Sequence, residues 1–139
     1  RKKMDCIFCE IANGNIPGKT LYEDELVRVI LDINPASYCH ALVIPKKHAK
    51  SLLECDAESR DRVFEVAAKL GRAMEEKLAC DGINVLANIR EGAGQTVDHF
   101  HVHLIPRYTN QPEKDGLCVK QEEIEKPDLD AICELIKID

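Results

Sequence analysis

Residues 97–108 read VDHFHVHLIPRY, a run in which three of the chain's five histidines alternate with apolar residues. In a β-strand, residues two apart share a face, so His99, His101 and His103 are predicted to form a row with Cα atoms roughly 6.5 to 7 Å apart from one to the next. The residues between and after them would face the core; they are Phe100, Val102 and Leu104. Three imidazoles on one face are hard to explain by packing, so this row carries the functional question.

Three interpretations of the histidine row remain open at this point. A solvated sheet face explains a lone histidine better than it explains three together. A single zinc ion held by all three is opposed by distance, because the outer two would lie roughly 13 to 14 Å apart along an extended strand. A division of labour has no such conflict. In it, central His101 attacks phosphorus in a two-step covalent route while its neighbours orient it and handle charge.

The segments around this run predict both strands and helices, without regular βαβ alternation. A short helix is stopped by Gly14 and Pro17, and a long amphipathic helix begins after Asp56 as its N-cap. The long helix should bury one face, made of Val63, Phe64, Ala67, Leu70, Gly71, Met74 and Leu78. Strands are predicted in 20–32 (two short pieces), 40–45, 82–88 and 99–106, and a closing helix in 126–138 with Asp128 near its N-cap. This predicts an α+β domain with an antiparallel sheet of about five strands.

Length and composition limit the classes of protein that remain. The 139 residues suit one domain, taken as 1–139, with 45% hydrophobic and 32% charged residues and no apolar run long enough to span a membrane. The net charge of −6 disfavours binding to a nucleic-acid polymer but leaves a small anionic ligand possible. Seven cysteines, an odd number, favour reduced thiols. The basic start is not followed by an apolar signal core, so we expect a cytoplasmic protein; if Met4 is the native start, Arg1–Lys3 are an extension with no role.

Two further patterns indicate binding sites. Cys6 and Cys9 have the spacing of a zinc knuckle or of a redox pair, with reduced core cysteines as the structural alternative. The redox interpretation is disfavoured because no strand pattern precedes the motif. A closed zinc site would need two more ligands, and the histidines available are His40, His48 and those of the row. The loop IREGAGQTVD, 89–98, resembles a ligand loop because its glycines let backbone N–H groups approach an anion.

The segment HFHVHLI, 99–105, matches at every position the His-φ-His-φ-His-φ-φ signature of the histidine triad (HIT) proteins, where φ is apolar. The resemblance extends from DCIFCEIANGNIPG through LDINPASYCHALVIPKKH to AGQTVDHFHVHLIPRY, and it is similar to the bacterial branch. It implies a nucleotide hydrolase or nucleotidyl transferase that cleaves nucleoside 5'-monophosphoryl compounds, such as adenosine phosphoramidates, acyl nucleotides or dinucleoside polyphosphates. It also implies a covalent nucleotidyl-histidine and a homodimer that joins two sheets into one.

By position, the resemblance implies a role for each site residue. His101 would be the nucleophile, His103 would bind a phosphate oxygen or serve in acid-base catalysis, and His40 would orient the row. Asp32 would take the ribose hydroxyls, for which a carboxylate's acceptor oxygens are suited. Hydrogen bonds at the phosphate and leaving group would come from Asn88, Gln95 and Thr96. The purine would be sandwiched by Ile7, Phe8, Ile11, Ile30, Ile33 and Leu42.

The resemblance further implies a structural zinc ion, as in hexose-phosphate uridylyltransferases. Its ligands would be Cys6, Cys9, His48 and His99. Zinc on His99 would hold the nucleophile two residues away in a fixed position. Two rival functions remain: a zinc-stabilised nucleotide-binding or scaffold protein without turnover, and a metallohydrolase that uses metal-bound water.

Overall fold

A computed structural model describes residues 6–109 and 125–138 of the chain. The strands are β1 (Thr20–Glu23), β2 (Val27–Leu31), β3 (Ala41–Pro45), β4 (Gly82–Leu86) and β5 (Val102–Arg107). The α-helices are α1 (Ile7–Ala12), α2 (Ala57–Lys77) and α3 (Leu129–Ile136). The prediction about Arg1–Lys3 lies outside the described residues.

The five strands form one sheet in the order β1-β2-β3-β5-β4, and every neighbouring pair is antiparallel. The predicted α+β class with about five antiparallel strands is therefore confirmed. Strands β3 and β5 lie at the centre, where Leu42 faces His103 across the ladder. Strand β4 pairs only with β5 among the described strands, which makes it an edge strand.

The two faces of the sheet bury different clusters. Helix α2 covers one face, where Val29, Val43 and Val102 stand opposite one another on adjacent strands and are fully buried. The other face carries α1, packed on a smaller cluster that includes Ile30 and Leu42. Each buried Val, Ile or Leu side chain contributes roughly 1.5 to 3 kcal/mol relative to exposure. The alternation of side chains along β2, β3 and β5 thus separates a packing face from a face that carries the histidines.

Helix α2 buries only part of the face that its sequence predicts. Val63, Ala67 and Met74 are buried, and Val66 joins them, whereas Phe64 remains 41% exposed. Phe64 lines a groove between helix α2 and the edge strand β4, and no other element in the described part of the chain lines this groove. Asp56 is the N-cap residue, as predicted, and Asp128 caps α3 by accepting from the N–H of Ala131.

The predicted strand at 99–106 is shorter in the structure, because regular pairing begins only at Val102. Before it, the N–H of Phe100 donates to the carbonyl of Ala49 at 2.7 Å and the N–H of His99 donates to Val97 at 2.8 Å. These bonds replace the ladder, so His99 and His101 precede the strand. Phe100, Val102 and Leu104 are buried in the core as predicted.

No helix in the described part of the chain is long and apolar enough to cross a bilayer.

An ion-pair network ties the β1–β2 hairpin to helix α2. Asp24 Oδ1 accepts from the N–H groups of Leu26 and Val27, while Asp24 Oδ2 accepts from Arg62 Nε at 2.8 Å and from the Tyr22 hydroxyl at 3.0 Å. Desolvation favours the neutral acid, but these four donors outweigh it and lower the pKa of Asp24 to about 2. The carboxylate therefore stabilises the fold in its charged form.

We predict that Asp24→Asn lowers the free energy of unfolding at pH 7 by about 1 kcal/mol, because the bond from Arg62 loses its charge assistance. The folded pKa lies below the unfolded value near 3.9, so the wild-type advantage is complete above pH 4 and is lost as pH falls towards 2. Urea unfolding at a series of pH values measures it. Exposed Asp61→Asn, which loses only a contact with neighbouring Arg60, is the control. An equal deficit for Asp24→Asn at pH 7 and pH 2 would contradict the prediction.

Candidate active site and metal site

Four predicted metal ligands converge at the N-terminal end of α1. His99 Nδ1 lies 3.3 Å from Cys6 Sγ, 3.4 Å from Cys9 Sγ and 3.2 Å from His48 Nδ1, and Cys9 Sγ lies 3.2 Å from His48 Nδ1. Bonds of about 2.0 to 2.1 Å to nitrogen and 2.3 Å to sulfur place the ligand atoms of a tetrahedral zinc site roughly 3.3 to 3.8 Å apart. The four residues could therefore hold a metal ion with small adjustments.

The local sequence explains how the two cysteines come together. Cys6 is the N-cap of α1, and its sulfur accepts from the N–H of Cys9 at 3.3 Å. One turn of helix then places both sulfurs on the same end of α1. Arg28 on β2 secures the other end, since its Nη1 donates to the carbonyl of Ile11 at 2.8 Å.

The fully buried imidazole of His99 has its protons arranged for metal binding. Its Nε2 lies 2.8 Å from the carbonyl oxygen of Pro45, which can only accept, so Nε2 carries the proton and the lone pair of Nδ1 faces the cluster. Burial lowers the pKa of His99 to about 4, and the charges of His48 and His101 add to the decrease. A neutral imidazole with a free Nδ1 is the form that binds a metal.

The surroundings of Cys9 disfavour the charged, thiolate form of its side chain when no cation is bound. Burial raises its pKa to about 12, helped by the hydrogen bond and charge of Cys6 and by the charge of Glu10. Two neighbouring thiolates are therefore unstable on their own. A bound divalent cation reverses this effect, because it stabilises deprotonated sulfur.

His101 is also buried, and its free nitrogen lone pair is on Nε2, not on Nδ1 as in His99. Its Nδ1 lies 2.7 Å from the carbonyl oxygen of His99, so Nδ1 carries the proton and Nε2 is unprotonated in the neutral ring. Burial lowers the pKa of His101, against smaller opposing effects of the His99 carbonyl and the Asp32 charge. The edge of the Phe8 ring packs against this imidazole with centroids 4.9 Å apart. The geometry therefore presents a neutral imidazole, held in place, with one unprotonated nitrogen.

His103 carries the opposite arrangement of protons. The N–H of Ala36 donates to His40 Nδ1 at 3.0 Å, so the proton of His40 is on Nε2 and is donated to His103 Nδ1, also at 3.0 Å. His103 therefore keeps its own proton on Nε2. Burial lowers the pKa of His103 to about 4, and the charges of His101 and His40 lower it further. The rings of His101 and His103, whose centroids are 4.9 Å apart, thus offer one lone pair and one N–H donor.

Asp32, His40 and His103 form a second group whose ligand atoms could reach one ion. The proton arrangement opposes it, because the N–H of Ala36 occupies His40 Nδ1 and the proton on His40 Nε2 lies where a metal would bind. Asp32 Oδ2 lies 3.6 Å from that nitrogen, and Asp32 Oδ1 accepts from the N–H of Asn34 at 2.8 Å. This group is better suited to hydrogen bonding than to metal binding.

The predicted ligand loop folds around a short 3-10 turn, Glu91–Ala93. Gly94 follows with φ +97°, and the Asn88 side chain donates to its carbonyl at 3.3 Å. A Cβ at Gly94 would lie 3.4 Å from Asn88 Nδ2, so glycine is favoured here by conformation and by space. Thr96 is exposed at the surface of the loop.

Gln95 differs from its predicted contact with phosphate. Its Nε2 donates to the carbonyls of Lys50 and Val97, its Oε1 accepts from the N–H of Arg90, and the residue is 4% exposed. Both amide protons are used within the protein, so none remains for a phosphate oxygen. Gln95 instead fixes the shape of the loop.

The six apolar residues predicted to hold the purine fall into two groups. Ile30 and Leu42 are buried in the cluster below α1, with Phe8 and Ile11 packed against it. Ile7 is 49% exposed and Ile33 is 90% exposed. The exposed pair offers apolar surface to a ligand, whereas the buried pair supports the site from beneath.

The groups that sequence reasoning missed are mostly backbone atoms. The Pro45 carbonyl fixes the protons of His99, and the Ala36 N–H fixes those of His40. No side-chain pattern signals a backbone donor or acceptor, so neither could be found without coordinates. Arg90 was also missed, although it lies inside the predicted loop.

The fold and the site define a class: small α+β proteins with an antiparallel sheet and a row of three alternating histidines that leads into a central strand. The chain belongs to the HIT domain family, whose model matches residues 13–110. It is 42% identical over 104 residues to "Adenosine 5'-monophosphoramidase hnt1" of Schizosaccharomyces pombe, a match covering 75% of each chain.

Two solved structures from this family resemble the fold. A HIT family member from Bacillus subtilis has a TM-score of 0.84 at 38% identity, with 94% of each chain covered. A zinc-bound histidine triad family protein from Mycobacterium smegmatis has a TM-score of 0.75 at 37% identity, covering 86% of this chain and 85% of that one.

We predict that Cys9→Ala abolishes stoichiometric metal binding and lowers the free energy of unfolding by about 3 to 4 kcal/mol, the gain from a ligand present at roughly 100 to 1,000 times its dissociation constant. Elemental analysis and thermal unfolding measure the two effects. Chelation of the wild type should reproduce the loss, whereas Cys133→Ala, at an exposed position on α3, should change neither. One metal ion per chain in Cys9→Ala would contradict the prediction.

Proposed function

We propose that the protein is a nucleotide hydrolase or nucleotidyl transferase. It would cleave nucleoside 5'-monophosphoryl compounds, of the adenosine phosphoramidate, acyl nucleotide or dinucleoside polyphosphate type, through a covalent nucleotidyl-histidine. The observation that carries the proposal is the hydrogen bond from His101 Nδ1 to the His99 carbonyl, which leaves Nε2 as a free nucleophile in a buried ring. The functional name of the fission yeast relative agrees with a phosphoramidate substrate.

In the first step, His101 Nε2 forms a bond to the α-phosphorus while the bond from phosphorus to the leaving group breaks. The Nε2–H of His103 would donate a hydrogen bond to a phosphate oxygen, or the ring, after taking up a second proton from water, would supply the proton that the leaving group takes and return to its neutral form. In the second step, water attacks the phosphorus and loses one proton to solvent, the bond between phosphorus and Nε2 breaks with its electron pair returning to His101, and the nucleoside monophosphate is released. Neutral and cationic donors suit a phosphate whose negative charge rises in the transition state.

The rest of the nucleotide would be held by residues around the row. Asp32 would accept from the ribose hydroxyls, since its Oδ2 lies beside the row and is only partly covered. Exposed Ile33 and Ile7 would contact the base, with Phe8 and Ile11 behind them and buried Ile30 and Leu42 as support. Asn88 and Thr96 would donate at the phosphate, whereas Gln95 would act through the shape of the loop.

We propose zinc as the metal and a structural role for it. Cys6, Cys9, His48 and His99 form a set of two sulfurs and two nitrogens, which suits tetrahedral zinc, and a family member of known structure is zinc-bound. Four protein ligands leave no open position for substrate or activated water. Bound zinc would supply a cross-link between α1, the segment after β3 and His99, which lies two residues before the proposed nucleophile.

We predict that His101→Ala lowers the turnover of an adenosine phosphoramidate by at least about 1,000-fold, because the variant lacks the nitrogen proposed to form the covalent intermediate. Acid-quenched wild-type enzyme should carry an adenylyl group on the peptide that contains His101. The variant should carry none. Retained AMP binding by His101→Ala is the control that its site remains folded.

Two outcomes would contradict this function. Wild-type protein that binds AMP compounds without turnover and without a modified histidine would favour the zinc-stabilised binding or scaffold protein. Immediate loss of turnover on chelation, with the fold intact, would favour catalysis by metal-bound water.

We also propose that two copies pair through β4 and α2. Strand β4 has an unpaired edge among the described strands, and exposed edges are sites of strand addition. Val85 is 51% exposed on that strand and lies in an apolar groove with Phe64, Ala68, Gly71 and Ile83. A second copy related by a two-fold axis would cover this groove and extend the sheet.

We predict that Val85→Lys converts a dimer into a monomer, because the introduced charge would be buried at the centre of the interface. Light scattering coupled to size-exclusion chromatography measures the mass. Leu53→Lys, at another exposed apolar position, should leave the dimer intact. A wild-type protein that is monomeric, or a Val85→Lys protein that is dimeric, would exclude this interface.

A further inference from the structure

Arg90 adopts a backbone conformation that is normally restricted to glycine. Its φ and ψ are 76° and 156°, and apart from Cys39 it is the only non-glycine residue with positive φ in the described parts of the chain. In this region the Cβ of an L-residue clashes with its own backbone, and the conformation is disfavoured by roughly five- to 150-fold. Such strain persists only where surrounding contacts hold it.

The side chain of Arg90 makes contacts of this kind. Its Nη2 donates to Glu54 Oε2 at 2.6 Å, and its Nη1 donates to Glu54 Oε1 at 3.3 Å and to Ser51 Oγ at 3.0 Å. An exposed ion pair alone contributes little. Here both ends of the guanidinium are used, and the hydroxyl that it reaches belongs to fully buried Ser51, which also donates to Glu54.

The backbone of Arg90 shapes the loop that follows it. Its N–H donates to Gln95 Oε1 at 2.8 Å, and its carbonyl accepts from the N–H groups of Ala93 and Gln95, both at 3.1 Å. Rotation of residue 90 into an unstrained conformation would redirect both groups. The bonds that close the turn before Thr96 would then be lost.

The segment that contacts Arg90, residues 51–54, lies close in sequence to the candidate metal ligand His48. Ser51 and Glu54 follow His48 closely in sequence, and the carbonyl of intervening Ala49 accepts from the N–H of Phe100, between two histidines of the row. Through Arg90, the loop is thus attached to the same segment that carries the candidate metal ligand His48.

We propose that Arg90 is a positioning residue: its ion pair with Glu54 and its bond to Ser51 hold residue 90 in a glycine-like conformation, and this conformation keeps Asn88 and Thr96 placed for the phosphate. The inference rests on the proposed function, because that function makes residues 88–96 the phosphate loop. Glycine adopts this conformation without strain, so the ion pair is needed only while residue 90 has a side chain.

The test compares Arg90→Ala with Arg90→Gly, each with and without Glu54→Ala, using an adenosine phosphoramidate. Arg90→Ala and Glu54→Ala should each lower kcat about tenfold with a smaller effect on KM, because the displaced donors act mainly on the transition state. Arg90→Gly should stay within about twofold of wild type. Glu54→Ala should have no further effect in the Arg90→Gly background, which gives a coupled double-mutant cycle.

Two results would overturn the inference. Wild-type kcat in both Arg90→Ala and Glu54→Ala would show that the ion pair is only a surface contact. Equal losses in Arg90→Gly and Arg90→Ala would show that the guanidinium acts directly, without any role for the backbone conformation.

Amide hydrogen exchange separates this inference from the proposed function. Exchange at Ala93 and Gln95 should speed up in Arg90→Ala and Glu54→Ala and remain slow in Arg90→Gly, whether or not the substrate is turned over. A wild-type protein without turnover would refute the function, and the exchange rates would then decide the loop. Unchanged exchange in all variants would refute the inference.

Discussion

The imidazole of His99 is the point on which the rest of the site depends. Its Nε2–H donates to Pro45 at the end of β3, its Nδ1 faces Cys6, Cys9 and His48, and its backbone carbonyl accepts from His101. One fully buried residue therefore connects the metal ligands, the central strands and the proposed nucleophile. Loss of a bound metal would affect the proposed catalysis only through the position of His99, because His101 is not one of the candidate metal ligands.

The sheet makes this arrangement possible by separating packing from chemistry. Val43 and Val102 face helix α2, while Leu42 and His103 face the opposite side. The large apolar core on one face thus stabilises a sheet whose opposite face buries polar imidazoles. Burying His101 and His103 has a cost, which hydrogen bonds offset, because His101 donates to the carbonyl of His99 and His103 accepts from His40.

Proton placement distinguishes the three members of the row more clearly than their spacing does. His99 and His103 carry the proton on Nε2, whereas His101 carries it on Nδ1. Each assignment follows from a partner whose role is unambiguous: a carbonyl that only accepts, or a backbone N–H that only donates. The result is two rings with differently placed lone pairs and a third that presents an N–H group, all made from one residue type, and depressed pKa values keep the neutral forms stable near neutral pH.

The linear chain alone was sufficient to predict the α+β class, the long helix after Asp56, the burial of Phe100 between histidines and the proximity of Cys6 to Cys9. These features follow from periodicity, capping and short spacing, which are local properties of the sequence. It was insufficient for the start of β5, which begins later than predicted because Phe100 bonds to distant Ala49. It was also insufficient for Gln95, whose amide protons are donated to the carbonyls of Lys50 and Val97. The strained backbone conformation of Arg90 could not be predicted either. Nothing in the residue type indicates a positive φ, and the residue that stabilises this conformation, Glu54, is distant in sequence. Tautomers and loop shape depend on contacts between residues far apart in sequence, so they exist only once the chain has folded.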